Sequence, residues 1–69
     1  MGKSVFSERL TQLRKERGLY QCFVANKLGT KPSALSNYES GLRVPNLEVL
    51  VKIAKHYNVT TDYLTGNEG

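Results

Sequence analysis

Ser33, Ser36 and Asn37 stand three and four residues apart within GTKPSALSNYESG, residues 29–41, and offer uncharged groups that both donate and accept hydrogen bonds. At about 100° per residue they share one side of a helix with Pro32, while Ala34, Leu35 and Tyr38 share the other. A merely solvated face more often carries Lys and Glu, which are better helix formers than Ser and Asn. Short polar side chains instead let a helix backbone approach a second surface closely. The major groove of B-DNA, about 12 Å wide, admits a helix and displays donors and acceptors that Ser and Asn can read. On these residues alone two readings stay open, a solvated face and a face that reads base edges.

Other chemistry has little material. One cysteine, Cys22, and one histidine, His56, make neither a disulfide nor a metal site, and a catalytic pair of the two is disfavoured. There is no Gly-rich phosphate loop, no clustered carboxylate pair and no Ser-His-Asp set, so no enzyme, metal or cofactor is expected. Ten Lys and Arg against six Asp and Glu give a net charge of +4 and a pI near 9.5, which suits an anionic partner and also plain solubility. No apolar run approaches the roughly 20 residues of a membrane span, and residues 1–6 are too few for a signal peptide. A soluble, cytoplasmic protein is expected, and the lone cysteine fits a reducing compartment.

The elements that must position these residues are short. The 69 residues form one domain, expected to bury only about 60% of its unfolded surface, so the core must be simple and local. Phe6, Leu10 and Leu13 mark a first helix from about Ser4 to Arg17, stopped by Gly18. Val24, Ala25 and Leu28 share one side of a second, from Gln21 to Leu28, stopped by Gly29. Pro32 suits the first turn of a third, which Gly41 ends. Asn46 caps a fourth, whose stripe is Leu47, Leu50, Ile53, Ala54 and Tyr57. Thr60 caps a last short one. The prediction is an all-α bundle of five helices with its core over about 4–64 and a frayed tail over 65–69.

The segments RGLYQ, VANKLGT, LSNYESG and VPNLEVLVKIA, in this order and spacing, strongly resemble the phage-repressor and Cro type of helix-turn-helix domain, also called xenobiotic-response-element-like. The likeness covers about Phe6 to Leu64. It implies a lambda-repressor-like bundle in which the second and third helices form the helix-turn-helix and helix 32–39 enters the major groove. It further implies a sequence-specific, double-stranded-DNA-binding regulator, bacterial or phage-encoded, acting as a repressor and as a homodimer on a two-fold operator. By position, Lys31, Pro32, Ser33, Ser36 and Asn37 would face bases, and Gln21, Lys31 and Arg43 would meet phosphate. Val44, Pro45, Tyr63 and Leu64 would form the dimer surface. Arg14 and Glu39 would form a partly buried ion pair, against the plainer alternative of two solvated charges.

The sequence departs from that family at several places. Tyr20 and Lys31 stand where the family usually caps its second and third helices with Thr or Ser, and neither has a good side-chain acceptor. Pro32 offers a base only apolar contact. Cys22 and Phe23 replace residues that are commonly charged, and three readings follow: packing against the first helix or the chain terminus, a partner surface, or a redox-sensitive thiol. The partner surface would make the chain a protein-binding module of antitoxin or antirepressor type. The run RKER, 14–17, reads as a solvated face, though Arg17 could reach phosphate. His56 reads as a surface or half-buried side chain whose charge would suit a helix C-terminus. Tyr38, Tyr57 and Tyr63 read as core-edge residues.

Overall fold

The computed structural model describes residues 4–67, in which five helices follow one another: α1 (Val5–Glu16), α2 (Gln21–Leu28), α3 (Pro32–Ser40), α4 (Leu47–Tyr57) and α5 (Thr61–Thr65). No strand occurs among these residues, and no helix is long and apolar enough to cross a membrane. The all-α expectation holds, with Ser4 and Arg17 standing as the caps of α1 rather than as its first and last residues.

Local chemistry explains the boundaries. Ser4 and Ser7 make a reciprocal capping box, with the Ser7 N–H donating to Ser4 Oγ at 3.2 Å and the Ser4 N–H to Ser7 Oγ at 2.7 Å. Asn46 Oδ1 accepts from the Val49 N–H at 2.9 Å, and Thr60 Oγ1 from the Tyr63 N–H at 3.0 Å. Between α2 and α3 the chain reverses at Gly29, whose φ of +72° is a left-handed conformation that disfavours any side chain.

α1 packs against α3 and α5, α2 against α3 and α4, and α4 against α5. Leu10, Val24, Ala25, Leu35, Ile53 and Leu64 are fully buried where these helices meet, and the larger of them contribute about 1.5–3 kcal/mol each. Tyr57, expected at the core edge, lies fully inside it at 1% exposure. Leu47, expected in the α4 stripe, is 72% exposed instead. It is the first residue of α4.

The residues that follow Leu64 make contacts of their own. Gly66 takes a left-handed conformation as the cap of α5, the Asn67 N–H donates to the Asp62 carbonyl at 2.9 Å, and a Cβ added at Gly66 would come within 3.0 Å of Val5. Glu68 and Gly69 lie outside the described residues. Arg9 anchors the same end, since its guanidinium donates to the Tyr63 carbonyl and lies 4.3 Å from the centre of the Tyr63 ring. Arg9→Ala should therefore cost about 1–2 kcal/mol. Its signature in amide exchange is faster opening at Leu64, Gly66 and Asn67 than elsewhere; a uniform rise across the chain would count against a local anchor.

Candidate nucleic-acid interface

The surface of α3 divides as the helical angles predict. Leu35 is fully buried against α2 and α1, and Glu39 beside it is 4% exposed. Lys31, Pro32, Ser33 and Ser36 are exposed on the other side, with Asn37 half-buried at its edge. Among the described residues, the side chains of Ser33, Ser36 and Asn37 have no hydrogen-bond partner. Other small polar side chains are used internally, such as Ser40, whose Oγ donates to the Asn37 carbonyl at 3.2 Å. That same carbonyl accepts the N–H groups of Leu42 and Arg43 at 3.0 and 3.2 Å, which folds the chain back over the end of α3 and holds Arg43 beside it, exposed.

A polar network sets how α3 stands on the other helices. Arg14 Nε and Nη2 donate to the two Glu39 carboxylate oxygens at 2.7 and 3.0 Å, a bidentate pair, while Nη1 donates to the Leu19 carbonyl at 2.8 Å. The Gln21 amide donates to Glu39 Oε1 at 3.0 Å. One carboxylate thus ties α1, the start of α2 and α3 together. The Glu39 hydrogen bonds hold the Arg14 guanidinium above its ordinary pKa despite burial. Nearby, burial and then Glu39 push the Tyr57 hydroxyl up to about 12.

The helix N-termini separate into two groups. α1, α4 and α5 each carry a side-chain cap and an acidic residue in the first turn, namely Glu8, Glu48 and Asp62. α2 and α3 have neither, because Tyr20 and Lys31 make no capping bond and no acid follows them. Their first-turn N–H groups and positive dipole ends are left for an external anion. Pro32 removes one donor from α3, so α2 presents the fuller set.

Other expectations need correction. Leu64 is fully buried and Pro45 is buried, so neither can serve a dimer surface; Leu64 fills the core because α5 folds back on α1. Tyr63 is half-buried beneath Arg9. Val44 remains, 82% exposed, and two residues missed from the sequence join it, Leu42 at 75% and Leu47 at 72%. The legible signal was LRVPNL itself, three aliphatic residues in and beside a loop with nothing to pack on. Cys22 and Phe23 are both exposed and do not pack under α1, and residues 1–3 lie outside the described residues. Arg17, offered as a phosphate ligand, donates to the Tyr57 carbonyl at 3.1 Å and lies 5.1 Å from the Tyr57 ring centre. His56 is disfavoured as a cation by desolvation first and then by Arg17 and Lys27, which outweighs the expected benefit of the helix terminus.

The arrangement of α2, the turn at Gly29 and α3 lies within residues 10–64, which match the helix-turn-helix family model. The chain belongs to the Cro/C1-type helix-turn-helix family. It is 41% identical over 61 residues to the HTH-type transcriptional regulator ImmR of Bacillus subtilis, covering 88% of this chain and 48% of ImmR. It is 42% identical over 55 residues to the cryptic phage CTXphi transcriptional repressor RstR of Vibrio cholerae, covering 80% of this chain and 50% of RstR. To the HTH-type transcriptional activator BcrR of Enterococcus faecalis it is 41% identical over 63 residues, 91% of this chain and 31% of BcrR. The chain of this helix-turn-helix protein therefore spans about half the length of these relatives, or less.

Proposed function

We propose that this domain binds duplex DNA as a transcriptional regulator, laying α3 in the major groove. The observation that carries this reading is the α3 face, where Ser33, Ser36 and Asn37 keep their hydrogen-bonding groups unused beside two helix N-termini free of caps and acids. Lys31, Ser33, Ser36 and Asn37 contact base edges, and Pro32 lies against a thymine methyl. Lys31 and Arg43 contact phosphate, and Gln21 does so through its main-chain N–H and the amide hydrogen that Glu39 leaves over. The names of its relatives include a repressor and an activator, and repression by occupancy of an operator is the reading adopted. On a two-fold operator, with half-sites about one helical turn apart, two copies meet through Leu42, Val44 and Leu47, the apolar side chains next to the reading helix. Such a regulator works in the cytoplasm, at the nucleoid.

Salt dependence tests the orientation. Affinity should fall linearly on a log–log plot against salt with a slope of about −0.9 per phosphate neutralised. Lys31→Gln or Arg43→Gln should weaken binding to every duplex and reduce the slope by about one unit per bound subunit. Lys52→Gln and Lys55→Gln, on α4, should change it much less. Equal effects at all four positions would mean diffuse attraction with no docked pose. The second reading, a protein-binding module, rests on the exposed Tyr20, Cys22 and Phe23 at the start of α2, Tyr20 being 78% exposed. Selection from random duplexes separates the two, because a regulator enriches a palindrome and a protein-binding module does not.

A further inference from the structure

The positive charge of the chain is not concentrated where α3 reads DNA. Arg9 and Arg14 are engaged inside the fold, and Lys31 and Arg43 are the exposed cations that border α3. Lys27, Lys52 and Lys55 instead line one shallow groove of about 540 Å³ between the C-terminal half of α2 and the outer face of α4. Asn26, Leu28, Gly29 and His56 complete its lining, and no Asp or Glu is among them. Among the described residues, none of the three lysines has a carboxylate partner. Gathering like charges without an ion-pair partner costs stability.

α2 packs on both α3 and α4, whereas α3 and α4 are not a principal packing pair. A straight duplex seated on α3 therefore has α2 between it and the groove. The groove is shallow and open, which suits an extended chain better than a small molecule that needs enclosure. We propose that the α2–α4 groove is a docking surface for an acidic polypeptide segment of a protein partner, distinct from the DNA-reading face. Carboxylates of the segment pair with Lys27, Lys52 and Lys55, and the Asn26 amide adds a neutral donor. Apolar contact comes from Phe23, which is exposed and whose ring lies 5.4 Å from the Lys27 ammonium.

His56 reports on the groove. Desolvation first, then Arg17 after α1 and Lys27 of α2, lower its pKa, while Lys52 and Lys55 line the same groove from its own helix. Carboxylates entering the groove favour imidazolium and raise that pKa. Binding then takes up protons, so affinity should rise as the pH falls through the His56 transition.

The test is an NMR titration of the full chain with a labelled twelve-residue peptide of alternating Glu and Ala, run beside operator-length duplex DNA. Amide shifts at 26–29 and 52–56, and an upward move of the His56 titration midpoint by half a unit or more, are expected with the peptide. Lys27→Gln/Lys52→Gln/Lys55→Gln should weaken peptide binding at least tenfold, while Lys31→Gln/Arg43→Gln changes it less than twofold. Peptide shifts centred on 31–43, or equal losses in the two variants, would overturn the proposal as diffuse attraction. If the groove variant instead reduces the salt slope on DNA as much as the Lys31 and Arg43 changes do, the groove holds duplex and the proposal fails. This result is separate from failure of DNA binding itself, which the α3 variants test.

Discussion

Arg14→Ala should destabilise the domain by roughly 3 kcal/mol, because it takes the bidentate cation away from a carboxylate that is nearly inaccessible to water. The Glu39 side chain is 5% exposed and that of Arg14 14%. Both oxygens of Glu39 accept from Arg14, and the neutral Gln21 amide donates to one of them. A chain of this length has a total stability of only about 3–10 kcal/mol, so thermal or urea unfolding should show a large shift. Arg14→Met combined with Glu39→Leu should recover most of the loss, since two buried charges are replaced by apolar volume. The comparison is decisive in its pattern. Single and double changes that each cost less than about 1 kcal/mol would mean that water already screens the pair.

The second large effect is expected on DNA and not on folding. Asn37→Ala and Ser33→Ala remove groups on the side of α3 opposite Leu35, and no described hydrogen bond is lost with either side chain. The Asn37 carbonyl that gathers the Leu42 and Arg43 N–H groups belongs to the main chain and survives. Each variant should therefore unfold within about 0.5 kcal/mol of the parent, as surface changes usually do. Loss of a good base contact should reduce discrimination between the selected duplex and its single-base variants by about 1–3 kcal/mol. Unchanged affinity and an unchanged selected sequence for both variants would remove the proposed face. Lost stability together with lost affinity would make these residues structural supports.

Most of the architecture was legible because its causes are local. Gly18, Gly29 and Gly41 mark three helix ends with positive φ or a left-handed cap, and Asn46 and Thr60 make the capping bonds their positions imply. The polar face of α3 follows from angle alone once Leu35 is placed inside. The errors fall where a residue depends on an element far away in the chain. Leu64 reads as an exposed end residue until α5 packs on α1, and Leu47 reads as core until the folded chain leaves it 72% exposed. Arg17 reads as a free cation until the Tyr57 carbonyl is brought beside it.

The amino-acid sequence by itself determined the helices, their caps and the two faces of α3, since these depend on neighbours within about four residues. It also carried the family, because four motifs at fixed spacing survive without any knowledge of contacts. Only the tertiary structure decided that Glu39 joins three elements and that Leu47 stays exposed beside Leu42 and Val44 instead of joining the core. It likewise decided that Lys27 of α2 shares a groove with Lys52 and Lys55 of α4. These are meetings of residues up to 28 positions apart, as with Lys27 and Lys55, and they depend on which helix faces pack together, a choice that local periodicity leaves open.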